Sequence, residues 1–302
     1  MLNLRHITII LVMAISAFFL IDPPTDAKTV IDQLGRHVTI PEKPERIVSL
    51  APSITEIVFA LDQGYRLKGV TTYSDFPPEA KKLPKVGSYV QLDLEKIVAL
   101  KPDLCIAIKD GNPIVVAQRL ESMKIPVYAV NPKNLKTVIQ TVQEIGGLLK
   151  VEKKANKLVQ NMKLRIQKVK SMVAKTTYRP RVFLQIGVSP IVSVGTNTFS
   201  HELIVLAGGK NLAEGPIAYP RYSIEQVLAL SPEVIIITSM ERAAVFKKVK
   251  AEWDRWPNMP AVRNHHVFIE DSNLFDRPTP RLVDGLELMV RLIHPELFER
   301  PK

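Results

Sequence analysis

Two glutamates, Glu95 and Glu225, occupy the same place in two versions of one sequence pattern, "DLEKIVALKPDLCIAI" and "SIEQVLALSPEVIIIT". Each follows a predicted N-cap residue, Asp93 or Ser223, by two positions, and each pattern continues into an apolar run. A carboxylate in the first turn of a helix interacts favourably with the helix dipole, which is the plainest role for both residues. The repetition itself indicates one helix–strand unit that occurs twice.

Catalytic and metal-binding patterns are absent from the sequence. It has no G-x-G-x-x-G after a predicted strand, no G-x-x-x-x-G-K-[ST] loop and no G-x-S-x-G elbow, which disfavours an enzyme. A zinc or manganese site would need several histidines and carboxylates that converge in one cleft. The histidines beyond the N-terminal segment all lie outside the two proline-rich loops described below: His37, His201, His265, His266 and His294. We therefore expect neither a resident cofactor nor a metal.

The first 27 residues predict export. Arg5 precedes an uncharged, mostly apolar run over 7–21, and "DPPTDA" follows, as in a secretory signal peptide with cleavage after Ala27. The run is shorter than the roughly 20 residues that span a bilayer, so a retained anchor is the weaker alternative. The one cysteine, Cys105, lies in a later apolar run, so we expect neither lipid attachment nor an intrachain disulfide. The sequence therefore favours a soluble protein of the periplasm.

The chain is basic, with a formal net charge of +11. Nucleic acid is not an expected partner, because export removes the protein from it and the lysines are spread along predicted helix faces. We interpret the charge as a property of the solvated surface.

The elements around the repeated unit alternate between strand and helix. A buried strand at 47–50 precedes "APSITEIVFAL", in which Ser53 and Glu56 have the spacing of a capping box. The proline-rich loop "SDFPPEAKKLPKVGSY" then leads into the first copy of the unit, and "GPIAYPRY" leads into the second. This alternation predicts an α/β fold with mainly parallel sheets and helices on both faces.

A single long helix is predicted between the two halves. Apolar residues recur at spacings of three and four from residue 150 to about 175 without glycine or proline, which gives a rod of roughly 39 Å. The predicted organisation is a signal peptide (1–27), an N-terminal lobe (28–149), a bridging helix (150–176) and a C-terminal lobe (177–302). Two similar lobes enclose a cleft, and small molecules bind in such clefts.

Four segments resemble the periplasmic substrate-binding proteins of ABC importers for cobalamin and ferric siderophores. They are "ERIVSLAPSITEIVFAL", "GVTTYSDFPPEAKKLPKVGSY", "DLEKIVALKPDLCIA" and "YSIEQVLALSPEVIIIT", and the similarity extends over about residues 45–298. "YSDFPPEA" and "VFLQIGVSP" most resemble the cobalamin-binding branch. The resemblance implies two lobes joined by one rigid helix, and a ligand held in the cleft between them with little hinge motion.

The resemblance also implies a partner. Such proteins deliver their ligand to a permease dimer driven by ATPase subunits, and they contact the inner membrane only through that permease. One glutamate from each lobe meets arginines of the permease, and the matching positions here are Glu95 and Glu225.

The resemblance assigns six residues to the ligand. A corrinoid is a large flat ring with apolar faces and amide arms, so it is held by aromatic plates and a few polar anchors. The matching positions are Tyr73, Tyr89, Tyr219, Phe275, Arg277 and Arg281. The tyrosines have the simpler alternative of covering the proline-rich loops, and the arginines that of pairing with Asp276 or Asp284.

The chain departs from the cobalamin-binding pattern at several positions. Tyr89, Ile108 and Tyr219 stand where tryptophans occur, Val192 replaces a phenylalanine and Asn273 replaces an aspartate. A ferric siderophore, or haem with a tyrosine as axial ligand, therefore remains the alternative to a corrinoid.

Overall fold

The computed structural model describes residues 27–238 and 243–298. The predicted signal peptide lies outside this range except for Ala27, with which the first strand begins. No helix within the described residues is long and apolar enough to cross a bilayer.

The N-terminal lobe is a four-stranded parallel sheet with helices packed on it, preceded by an antiparallel strand pair, β1–β2. The strands are β1 (Ala27–Ile31), β2 (His37–Pro41), β3 (Ile47–Ser49), β4 (Leu67–Gly69), β5 (Leu104–Ile108) and β6 (Val127–Val130). The helices are α1 (Pro52–Ala60), α2 (Leu94–Ala99), α3 (Ile114–Ser122) and α4 (Leu135–Leu148), with 3-10 turns at Gly64–Arg66 and Pro78–Lys82.

Helix α5 (Glu152–Val173) follows, and the C-terminal lobe comes after it. Its strands are β7 (Arg181–Gln185), β8 (Ile191–Val192), β9 (Lys210–Asn211), β10 (Arg221–Tyr222), β11 (Val234–Ile237) and β12 (Val267–Ile269). Its helices are α6 (Phe199–Leu206), α7 (Ile224–Leu230), α8 (Ala243–Asp254), α9 (Pro260–Arg263), α10 (Ser272–Phe275) and α11 (Leu282–Ile293), with a 3-10 turn at Pro295–Leu297.

The two parallel sheets have the same topology. Their strand orders are β4-β3-β5-β6 and β9-β7-β11-β12, so in each lobe the second strand along the chain lies at one edge, followed by the first, third and fourth. All neighbours within these two sheets are parallel. The predicted fold class is confirmed, and the repeated sequence pattern forms the third strand of each sheet together with the helix before it.

Helix α5 packs into both lobes. Ala155 and Val159 belong to the core of the N-terminal lobe, whereas Met162, Val169 and Val173 belong to the core of the C-terminal lobe. The helix has 22 residues, or about 33 Å, inside the predicted range 150–176.

Helix α4 shares this role, which the prediction of a single bridging helix missed. Val142, Ile145 and Leu148 of α4 pack into the N-terminal core, and Leu135 and Val138 pack into the C-terminal core. The apolar stripe of α4 is therefore divided between the lobes in the same way as that of α5. A helical hairpin, rather than one rod, joins the lobes.

The hairpin is tight because a glycine of α4 lies against an alanine of α5. A Cβ atom added at Gly146 would lie 2.4 Å from the Cβ of Ala155, whereas one added at Gly147 would meet nothing within 4 Å. Only the first of these adjacent glycines is required by packing.

We therefore expect opposite effects from two alanine substitutions. Gly146→Ala should lower the free energy of unfolding by about 1–3 kcal/mol through overpacking. Gly147→Ala should raise it by up to about 1 kcal/mol, because alanine is the better helix former. Urea unfolding of both variants measures the difference, and equal stability of the two would contradict the close packing of α4 on α5.

Candidate functional site

A cleft of about 800 Å³, measured with its open mouth, lies between the lobes. The N-terminal lobe contributes Ala51, Pro52, Ser53, Tyr89, Ile108, Asp110, Pro132 and Lys133. The C-terminal lobe contributes Asn197, Thr198, Phe199, Tyr219, Asp276, Arg277 and Pro278. Both lobes contribute residues to its walls, so both are needed to form it.

The topology explains why the cleft is at this place. In an open parallel sheet, ligands bind beyond the carboxyl ends of the strands, where the strand order reverses. Strands β3 and β5 flank that reversal in the N-terminal lobe, and Ala51–Ser53 and Ile108 come from their carboxyl ends.

Two tyrosines face the cleft from opposite lobes. The ring of Tyr89 lies against Gly111, where an added Cβ would be 2.3 Å from the ring, and the backbone carbonyl of Tyr89 accepts a hydrogen bond from Asn112 Nδ2 at 2.7 Å. Gly111 has a φ of +122°, so both its conformation and its contact require glycine. Tyr219 is 53% exposed and presents its ring to the cleft.

The hydroxyl of Tyr219 lies in an acidic part of the cleft. Partial burial raises its pKa, and the charges of Asp110 and Asp276 raise it further, with a contribution from Tyr89. Asp110 and Tyr89 belong to the N-terminal lobe and Asp276 to the C-terminal lobe, so both walls of the cleft contribute acids near this hydroxyl.

Arg277 is held by the opposite lobe. Its Nη1 donates to Glu56 Oε1 at 3.1 Å and to Asp75 Oδ1 at 3.0 Å, and its Nη2 donates to the backbone carbonyl of Tyr73 at 3.0 Å. Glu56 and Arg277 are 4% and 7% exposed. The pair is therefore a buried ion pair between the lobes.

Arg281 completes this cluster. Its Nε donates to Glu56 Oε2 at 2.8 Å and its Nη2 donates to Oε1 at 3.1 Å. The guanidinium carbon also lies 3.7 Å from the centroid of the Phe76 ring. We call Glu56, Asp75, Arg277 and Arg281 the interlobe ion cluster; its two cations and two anions balance.

The capping box predicted for Ser53 and Glu56 is wrong. Helix α1 begins at Pro52 with Ala51 as N-cap and no side-chain cap, because proline is well suited to the first helical turn. Glu56 is thereby a residue of the helix interior, directed at the other lobe.

The simpler pairing of the two arginines with Asp276 or Asp284 is also wrong. Asp284 pairs with Arg165 of α5, and Asp276 Oδ1 accepts a hydrogen bond from the hydroxyl of Thr238 at 3.0 Å. Burial raises the pKa of Asp276 to about 8, although the Thr238 hydroxyl and Arg277 act in the opposite direction.

Three of the six predicted ligand residues line the cleft: Tyr89, Tyr219 and Arg277. The prediction for Phe275 is wrong, because its ring is 0% exposed within the C-terminal core. Tyr73 does not line the cleft, and its side chain is largely exposed. Arg281 does not line it either, since its guanidinium is held in the interlobe ion cluster.

The sequence reasoning missed several polar residues of the cleft. Asp110 lies two residues after the end of β5, so the rule for carboxyl ends of parallel strands was a signal that could have found it. Asp276 and Asn197 lie in irregular segments that carry no comparable signal. Of the positions that depart from the cobalamin-binding pattern, Ile108 lines the cleft and Val192 does not.

Glu95 and Glu225 lie in equivalent first turns, of α2 and α7, and both are exposed. Asp93 accepts a hydrogen bond from the backbone N–H of Lys96, and Ser223 accepts one from that of Gln226, so both predicted N-caps are confirmed. A hydrogen bond from Ser223 lowers the pKa of Glu225. The two glutamates therefore occupy equivalent positions in the topology of the two lobes as well as in the repeated sequence pattern.

No group of three or more histidine, cysteine, aspartate and glutamate residues within the described ranges is arranged to hold a metal ion. His201 and His294, for example, contact Asn211 and the backbone carbonyl of Gly208.

Comparison with known proteins gives consistent matches. Residues 47–274 match the family model described as periplasmic binding protein. An uncharacterized ABC transporter substrate-binding lipoprotein of Bacillus subtilis is 33% identical over 279 residues, which are 90% of this chain and 87% of that protein.

Two solved structures share the fold. The periplasmic vitamin B12-binding protein of Vibrio cholerae matches with a TM-score of 0.75 and 30% identity, over 86% of this chain and 100% of that one. A periplasmic haem-binding protein of Pseudomonas aeruginosa matches with a TM-score of 0.77 and 28% identity, over 83% and 93%.

Proposed function

The chain belongs to the periplasmic binding protein family as a substrate-binding component of an ABC importer, and we propose that its ligand is cobalamin or a related corrinoid. The family resemblance found in the sequence is confirmed by these matches. Members of this family are exported transport components, and in our proposal the protein is periplasmic and carries its ligand as cargo, without a resident cofactor.

One observation carries the choice of ligand. Tyr89 and Tyr219 project into the cleft from opposite lobes, so a flat ring can be held between two aromatic plates. Ile108 and Phe199 add apolar surface to the same walls, and Asp110 and Asp276 add hydrogen-bonding groups. Apolar ring faces and a polar rim are the features of a corrinoid, and the B12-binding protein of Vibrio cholerae shares this fold.

A ferric siderophore or haem is the second candidate, and haem has the more specific support. A tyrosine hydroxyl is a known axial ligand of haem iron, and the cleft holds two tyrosines. The haem-binding protein of Pseudomonas aeruginosa shares this fold as well. The two candidates use the tyrosines differently: a corrinoid needs the ring, whereas haem needs the hydroxyl.

Calorimetric titration with cyanocobalamin, cobinamide, haem and a panel of ferric siderophores tests the proposal. We expect micromolar or tighter corrinoid binding, a loss of about tenfold in affinity in Tyr89→Ala and Tyr219→Ala, and little change in the two Tyr→Phe variants. Tyr65→Ala, an exposed tyrosine outside the cleft, is the control. Haem binding that disappears in a Tyr→Phe variant, without corrinoid binding, would favour the second candidate instead.

We further propose that Glu95 and Glu225 dock the protein onto a permease dimer with its ATPase subunits. Their equivalent positions in two lobes of the same topology suit a partner that has two-fold symmetry. On a chain of net positive charge, two exposed carboxylates at matched sites can set the orientation of docking.

Replacing Glu95 and Glu225 together by alanine should abolish transport and leave ligand affinity unchanged, because neither residue lines the cleft. Ligand uptake by vesicles that contain the permease, alongside titration of the free protein, separates the two effects. Glu152→Ala is a matched control, since Glu152 is also an exposed first-turn glutamate. Normal uptake by the double variant would remove the docking role.

A further inference from the structure

We propose that the cleft selects a ligand whose rim carries uncharged primary amides over one whose rim carries carboxylates, and that Asp110 and Asp276 make this selection. The inference deepens the corrinoid function proposed above and rests on it. It assigns the two aspartates a role in specificity that is separate from the aromatic contacts.

The arginine that lines the cleft already has anionic partners within the protein. Arg277 would be the obvious partner for a ligand carboxylate, but its charge is already balanced inside the interlobe ion cluster. Arg281 pairs with the same Glu56 and does not reach the wall. Among the described residues that line the cleft, Lys133 is the other cation, and it also borders a neighbouring groove beside Glu202. The cleft therefore offers little compensation for anionic arms.

The two acids of the cleft lie on opposite walls. Asp110 comes from the N-terminal wall and Asp276 from the C-terminal wall, and both act on the hydroxyl of Tyr219. A ring held by Tyr89 and Tyr219 would thus have an acidic side chain near its rim on either side. An arm of a bound ligand would meet hydrogen-bond acceptors in this part of the cleft.

The chemistry of the two groups distinguishes amides from carboxylates. The carboxylate oxygens of Asp110 can accept hydrogen bonds from amide N–H groups, whereas a ligand carboxylate offers no N–H and is repelled by them. Burial raises the pKa of Asp276, so its carboxyl group takes up a proton more readily than that of an exposed aspartate. In its protonated form it can accept from an amide N–H while it donates to the amide carbonyl. A carboxylate arm brought between Asp110 and Asp276 would lose its hydration beside two acids, and Lys133 is the one cation on the cleft wall, among the described residues, whose charge the interlobe ion cluster does not balance.

The test uses two rings that differ in their arms. Dicyanocobinamide carries primary amides, dicyanocobyrinic acid carries carboxylates at the same rim, and neither has a nucleotide phosphate. We expect the wild-type protein to bind the amide ring at least about 100-fold more tightly. Asp110→Asn and Asp276→Leu should each reduce this ratio about tenfold. Asp62→Asn removes an exposed acid outside the cleft and should leave the ratio unchanged.

The outcomes separate this inference from the proposed function. A large ratio that falls in both cleft variants supports it. Equal binding of the two rings, or a ratio unchanged in Asp110→Asn, overturns the inference and leaves the corrinoid function standing. Failure of both rings to bind overturns both proposals. Because Asp110 is exposed, its variant decides the matter even if Asp276→Leu proves too unstable to purify.

Discussion

The buried carboxylate of Glu56 is the constraint on which the cleft depends. Glu56 lies on the first helix of one lobe and meets Arg277 and Arg281 of the other, with Asp75 as the second anion. Burial of a charge costs several kcal/mol unless it is paired, and removal of one partner from a buried pair typically costs about 3–5 kcal/mol. If the lobes moved apart at this point, these ion pairs would break, so the cluster favours one fixed distance between the lobes. It also keeps the guanidinium of Arg277 beside the cleft with its charge balanced.

The helical hairpin of α4 and α5 provides a second attachment. Both helices divide their apolar stripes between the two cores, and the backbone N–H of Leu135 at the start of α4 donates to Glu202 of the C-terminal lobe at 2.6 Å. Two lobes of the same strand order are thus fixed by packing at the hairpin and by charge at the ion cluster. A preformed cleft with a tyrosine from each lobe, and a matched glutamate on each lobe, follows from this arrangement.

Features that depend on residues close together in the sequence could be predicted from it. The N-caps Asp93 and Ser223 are of this kind, and so is the alternation of strands and helices. The role of Glu56 could not be predicted, because its spacing from Ser53 imitates a capping box while its partner Arg277 is 221 positions away. The orientation of Phe275 was inaccessible for a similar reason: it ends a helix of one turn, whose packing decides which way the ring faces.

The most direct test of this account is the distance between the lobes in solution, measured by electron spin resonance on spin labels at Lys82→Cys and Glu214→Cys, two exposed positions of opposite lobes. The native Cys105 is buried, and burial raises the pKa of its thiol to about 12, so it should not be labelled. The account predicts a narrow distance distribution that cobinamide does not shift, and a broader distribution when Glu56→Gln is added. A broad distribution in the parent protein, or one that Glu56→Gln leaves unchanged, would contradict the claim that the interlobe ion cluster sets the cleft.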